Sequence, residues 1–267
     1  MRFRASELGL IMADERSAVI TPTQLKELNK LLERISLTDK QSIRRDELIA
    51  KRDAPPVLSQ GAKSYIQKKC IEDKYGFSKD IESRYLEKGI LVEDEGIQIA
   101  SSALGWHLVF KNEEHFKNDY IQGTPDVITE GFIADIKSSW SLDTFPWFDT
   151  EVKNKIYYWQ LQAYMYLCDK PTSYLVYVLV NTPEHLVNKE VEHYKWRAKD
   201  NLDLLDLPVE MESDIYEEIA AKHNFDNIPF EKRVKAFEVE ADISAQVKIR
   251  EKVELAREYY EEVYALL

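Results

Sequence analysis

The sequence predicts a mixed α/β fold, an α+β mixed sheet with helices added at both ends of the chain, on three observations. Ile121–Trp140, IQGTPDVITEGFIADIKSSW, reads as a β-hairpin: Val127–Thr129 and Phe132–Ala134 are β-prone, and Glu130-Gly131 can form a two-residue turn. Residues 154–168, NKIYYWQLQAYMYLC, are apolar almost all round, the pattern of a buried helix. Ser173–Val180 is then a near-continuous apolar run, consistent with a strand covered on both faces.

Taken in order, the chain opens with RFRASELGLIM, a short, partly apolar segment. Thr21-Pro22-Thr23-Gln24 combines a capping box with proline at the first helical position. Leu25, Leu28, Leu32 and Ile35 follow at helical spacing, so a helix is predicted over 22–36. Residues 38–60 are charged and end in Pro55-Pro56, which predicts a linker or mobile loop. Gly61-Ala62-Lys63-Ser64 looks like the tail of a phosphate-binding loop but lacks the upstream glycine and the preceding strand. It reads instead as the start of a helix over 62–75, with Lys63, Lys68, Lys69 and Lys74 exposed.

From Asp80 to Leu104 the chain is predicted helical, with a break or bend near Gly89. Ile90, Glu93, Ile97, Ala100 and Leu104 fall on one stripe, which puts Glu93 on the core side and turns Asp94 and Glu95 away. An acid there needs a partner, either a partly buried ion pair or a site shared with the hairpin. Trp106–Lys111 reads as a strand and Asn112–Asn118 as a polar turn. After the hairpin, Ser138–Thr150 (SSWSLDTFPWFDT) is a loop of aromatic and small polar residues. Such a composition can stack on unpaired bases and can equally pack as a hydrophobic lid. In the buried helix, Gln162 and Tyr166 share a face, and a buried glutamine commonly hydrogen-bonds core backbone. Residues 183–233 are predicted mostly helical with a proline-bearing break, Val234–Glu240 a late strand, and Ala241–Leu267 a long charged helix.

Composition sets outer bounds. A chain of 267 residues can bury a large core and permits one or two domains. No apolar run approaches the ~20 residues that span a bilayer, and Leu8–Met12 is too short for a signal-peptide core. The two cysteines, Cys70 and Cys168, form no CxxC pair, which predicts a reducing, cytoplasmic setting. Two also fall short of the four that hold an iron–sulfur cluster, and the five histidines show no close-spaced zinc pattern. The net charge is −12, unevenly spread: residues 1–80 carry 16 Lys and Arg against 12 Asp and Glu, residues 81–200 carry 12 against 19, and residues 201–267 carry 8 against 17. This balance disfavours tight, sequence-independent coating of nucleic acid and is compatible with a strand enclosed at one local site.

The hairpin concentrates the chemistry. A Glu130-Gly131 turn pairs Ile128 with Ile133, Val127 with Ala134, Asp126 with Asp135 and Thr124 with Lys137. Side chains alternate along a strand, so Ile133, Asp135 and Lys137 share a face, with Asp126 opposite Asp135 on it. Directly opposed like charges destabilise a sheet, and a divalent cation would turn that repulsion into coordination.

Pro125-Asp126 followed by Asp135-Ile136-Lys137 resembles the PD-(D/E)XK nuclease signature. With Glu93 on a preceding helix and Gln160-Leu161-Gln162 then Tyr166 on a following one, the order is similar to the RecB-like branch, and within it to the phage lambda-type exonucleases of the YqaJ viral recombinase group. Gly89 four residues before Glu93, Thr124-Pro125-Asp126, and Ala5-Ser6-Glu7 match further elements of that group, over residues 3–12 and 80–180. The group's phosphate-pocket arginine would fall before residue 1, which leaves Arg2 or Arg4 to replace it, and residues 13–75 have no obvious counterpart in its best-known member.

The resemblance implies a restriction-endonuclease-like core of order α-β-β-β-α-β at 80–180, inside a single nuclease domain, 1–267. A helical region, 1–79, would precede the core and a mainly helical one, 181–267, would follow it. It further implies Mg²⁺ or Mn²⁺ held by Glu93, Asp126, Asp135 and the carbonyl of Ile136. Lys137 would orient or help deprotonate a water and stabilise the transition state, and Gln162 would position water or phosphate. Nucleic-acid contacts would come from Arg4, Ser6, Thr124, Ser138 and Tyr166, with Ser6 on a 5′ phosphate. Implied partners are double-stranded DNA ends, a single-strand annealing protein and further copies of the chain in a ring-like trimer, with no membrane. The implied activity is a 5′-end-directed exonuclease of phage-type recombination on linear duplex DNA. The alternatives are a structure-specific endonuclease or nickase of the same fold, and a non-catalytic DNA-binding or assembly protein.

Overall fold

One short sheet covered on both faces explains why its strands read as apolar runs instead of alternating ones. The computed structural model describes residues 1–14, 20–76, 83–107, 109–199 and 209–267. In chain order these form β1 (Phe3–Arg4), α1 (Ala5–Leu8), α2 (Pro22–Leu32), α3 (Asp39–Arg52), α4 (Gln60–Tyr75), α5 (Arg84–Leu91) and α6 (Glu93–Leu104). Next come β2 (Phe116–Lys117), β3 (Ile121–Gly123), β4 (Val127–Ile128), β5 (Phe132–Ser138), α7 (Lys155–Cys168) and β6 (Thr172–Val178). The chain closes with α8 (Glu184–Lys199), α9 (Val209–Lys222), β7 (Val234–Glu240) and α10 (Ile243–Leu266). It divides into two compact units: Met1–Ser78 with Lys117–Gln122 and Asp242–Leu267, and Lys79–Phe116 with Gly123–Ala241.

In the first unit α2 and α3 pack through Leu28, Leu31 and Leu48. There α4 packs on α10, and β1 runs parallel to β3 with Phe3 opposite Ile121. Lys252, fully buried on α10, donates to the carbonyls of Val57 and Ala13 and pairs with Asp14 at 2.5 Å.

The second unit is built on a sheet of order β4-β5-β6-β7. β4 is antiparallel to β5, β5 parallel to β6, and β6 antiparallel to β7. Ala134, Ile136, Val176 and Val178 face Ile97 and Ala100 of α6. The opposite face turns Leu175 and Phe237 to Leu161 of α7. Each central strand thus buries both its odd and its even residues.

The mixed α+β fold is as the sequence predicts, including the hairpin, the buried helix, β6, β7 and the long last helix. Four local expectations are corrected. The charged 38–60 stretch is no linker: it holds α3, started by a second capping box in which Thr38 and Gln41 satisfy each other's backbone N–H. Helix α2 stops at Leu32, leaving Ile35 beyond it and fully exposed, so Leu31 completes the buried face in its place. The helical break falls at Val92, not Gly89, and Ile90 is exposed. Finally, 106–111 forms no strand among its described residues: Trp106 packs on Phe132 and Tyr174 through its ring, while the backbone joins no ladder. Of the lysines expected to be exposed on α4, Lys68 and Lys74 are, whereas Lys63, over the Tyr259 ring, and Lys69 are half-buried. Asp80, Leu108 and residues 200–208 of the stretch predicted helical with a proline-bearing break lie outside the described residues.

Candidate active site

The hairpin forms in the register its sequence dictates, Val127 opposite Ala134 and Ile128 opposite Ile133. Thr129 closes it: its N–H donates to Phe132 O at 2.8 Å, and its Oγ1 accepts from Phe132 N at 3.0 Å. One residue beyond the ladder, Asp126 comes opposite Asp135 and sends its carboxylate across the pair. Oδ2 of Asp126 accepts from the Ile136 N–H at 2.6 Å. Asp135, 1% exposed, accepts from Gln160 Nε2 on Oδ1 at 2.8 Å. Its Oδ2 meets Lys137 Nζ at 2.5 Å as an ion pair, without hydrogen-bond geometry. The Lys137 ammonium also lies 5.2 Å from the centre of the Tyr157 ring. So the face carries one fully buried and one half-buried acid beside Lys137.

The electrostatics follow from that imbalance. Burial pushes the Asp126 carboxyl up, the neighbouring Asp135 pushes it further, and Lys137 and the Ile136 N–H only partly offset them, leaving it at about 8. Burial alone would discharge Lys137, but Asp135 and Asp126 outweigh it and hold the ammonium above its ordinary value. Burial and then Asp135 raise the Tyr164 phenol, which accepts from Gln160 Nε2 at 3.2 Å.

Glu93 opens α6 next to this face, near enough to Asp126 to raise its carboxyl further. Its carboxylate accepts from Lys111 Nζ at 3.1 Å, so the ion-pair alternative is the arrangement present. Among the described residues no three His, Cys, Asp or Glu side chains are gathered closely enough to hold a metal.

Other expected site residues are placed as follows. Gln162 donates to Glu240 O at 2.8 Å, and it is Gln160 that reaches Asp135. Two residues along a helix are about 200° apart, so the two amides cannot serve one site, and Tyr166 turns with Gln162. Thr124 does not pair with Lys137: the β4–β5 ladder ends at Val127, and Thr124 Oγ1 sits 3.1 Å from His115 Nδ1. Ser138 ends β5 opposite Val178. Arg4 and Ser6, both exposed, belong to the first unit. Gln160, Lys111 and Tyr157 are the residues that sequence reasoning left without a role. The signal for Gln160 is its helical spacing from Tyr157 and Tyr164, but only the packing of α7 shows that this stripe faces β5.

Two solved structures share this architecture. The chain matches a phage-related exonuclease from Haemophilus somnus 129PT with a TM-score of 0.68 and 21% identity, over 99% of this chain and 96% of that one. It matches an alkaline exonuclease from Laribacter hongkongensis with a TM-score of 0.50 and 13% identity, over 78% and 84%. No protein-family model matches the sequence, and no curated protein does. At such identities the likeness is one of fold: the chain has the fold of phage-type exonucleases, as its motifs imply.

Proposed function

We propose that this chain is a metal-dependent deoxyribonuclease, an exonuclease acting on linear duplex DNA from its 5′ end in phage-type recombination. The observation that carries the reading is the hairpin face, where half-buried Asp126 stands beside the fully buried Asp135 and Lys137 pairs with Asp135. A divalent ion fits that face, since Mg²⁺ is typically held by one or two carboxylates with water and phosphate oxygens. Asp126, Asp135 and the Ile136 carbonyl would hold Mg²⁺ or Mn²⁺, and Glu93 would join them on exchanging its Lys111 partner. Such an ion, when bound, acidifies a water and neutralises charge on the phosphate.

The chain's own residues do the rest. Gln160 fixes Asp135 through Oδ1 and leaves Oδ2 toward Lys137. Lys137 keeps its proton at neutral pH, which suits it to stabilise negative charge developing on the phosphate more than to act as a base. The 5′ polarity rests on the Ala5-Ser6-Glu7 match. The test compares linear duplexes bearing a 5′ phosphate or a 5′ hydroxyl with closed circles, in Mg²⁺. The phosphorylated ends should be digested fastest and circles left intact; circles cut as fast as linear DNA would make the enzyme an endonuclease.

A further inference from the structure

One strand over from Lys137 lies a cavity of about 370 Å³, near the lower end of the ~300–1,000 Å³ typical of small-ligand pockets. Lys137 and Tyr177 are directly paired between β5 and β6, and Tyr177 lines the cavity. The walls are aromatic. Phe145 meets Trp147 edge to face at 4.7 Å, and Tyr177 meets Phe237 edge to face at 6.0 Å. Phe148, on the same lining, is 94% exposed and presents its ring to solvent. Around them stand Asp143, Asp149 and Glu151, and the lysine on this lining, Lys153, is bound to Asp149.

We propose that this cavity is a nucleobase pocket, taking the unpaired base of a nucleotide adjacent to the phosphate at Lys137. The inference rests on the nuclease reading for what passes Lys137, and on the cavity itself for what enters it. Aromatic walls bind the π-face of a base. The three acids on the lining accept from exocyclic amino groups, so the pocket favours adenine, guanine and cytosine over thymine, with Lys235, 5.7 Å from the centre of the Phe237 ring, as a further cation beside it. Strands of a sheet lie about 4.8 Å apart, so a backbone held at Lys137 brings its neighbouring base within reach of Tyr177. Lys137 and the pocket are joined by rings, with Tyr157 beneath the ammonium and 6.5 Å from Tyr177.

The experiment measures binding of the full chain, in EDTA so that nothing is cleaved, to fluorescent single-stranded oligonucleotides of equal length: all-adenine, all-cytosine, all-thymine and wholly abasic. Wild type should bind the adenine and cytosine strands about 10-fold tighter than the abasic one, with thymine between. Phe148→Ala, an exposed position whose loss spares the core, should remove most of that preference and leave abasic binding unchanged. Equal binding of all four strands, a preference that survives Phe148→Ala, or no binding of any strand overturns the pocket. Digestion of linear duplex in Mg²⁺, scored separately, decides the nuclease reading, so the two can fail independently.

Discussion

Among the described residues two lysine–aspartate pairs have one member fully buried, one pair in each unit, and they are built to opposite accounts of charge. At Lys252 two cations serve one acid: Asp14 meets Lys252 at 2.5 Å and Lys248 at 2.8 Å, and backbone carbonyls take the remaining donors of Lys252. Burial pushes the Asp14 carboxyl up, but the two lysines outweigh it and hold it below its ordinary value. At Lys137 two acids share one cation, and the balance reverses, with Asp126 held far above its ordinary value. In both places one aspartate oxygen lacks a well-formed hydrogen bond, so an orphaned atom does not separate them. The sign of the leftover charge does. A pair whose lysines match or outnumber its acids is a clamp; one with an acid in excess is poised for a cation that displaces the proton of that acid.

The comparison can be broken at several points. The largest effect is expected at the clamp, where Asp14→Asn strands the buried Lys252 and should cost about 3–5 kcal/mol in urea unfolding. Because the Asp14 carboxyl is depressed, its contribution is fully present above about pH 4 and is lost as pH falls through the lowered folded value. Lys137→Ala should lower kcat by about 10²–10³, or some 3–4 kcal/mol. Calorimetry with Mn²⁺ should find its metal affinity nearly intact, since lysine is not a ligand; wild-type turnover would remove Lys137 from the mechanism.

Lys88, buried as fully as Lys252, has no acid partner among the described residues. Lys88 donates to the carbonyls of Ser139 and Trp140 at 2.7 and 3.4 Å, and burial pushes its ammonium down to about 8. The unfolded chain then binds the extra proton between pH 8 and about 10.4, so stability should rise with pH across that window. The gain of wild type over Lys88→Met should reach at most about 3 kcal/mol; a flat difference would show that Lys88 stays charged.

Much of this site is legible in the sequence, for physical reasons that vary by element. The turn residues and strict alternation fix the hairpin register, and with it the meeting of Asp126 and Asp135. Gln160 is hidden because α7 is apolar almost all round, so nothing in the string tells which of two glutamines faces the sheet. The Glu93 stripe assumes a continuous helix, whereas α6 starts afresh at Glu93 and delivers its carboxylate to Lys111. Pro55-Pro56 and the density of charge draw a loop over α3, although Thr38-x-x-Gln41 is the same capping box that correctly marks α2.

The claim that surplus negative charge defines the functional face is tested most directly by equilibrium unfolding of wild type and Asp126→Asn, each in EDTA and in Mn²⁺. Because the folded-state carboxyl is raised to about 8 and the unfolded one sits near 3.9, folding at neutral pH must either take up a proton or bury a charge at Asp126, and either costs stability. Asn keeps an oxygen for the Ile136 N–H, so the variant should be more stable than wild type in EDTA by about 1 kcal/mol. Mn²⁺ should then stabilise wild type and leave the variant unchanged, reversing their order at saturating metal. A variant less stable than wild type in EDTA, or one that gains as much from Mn²⁺, would contradict the account.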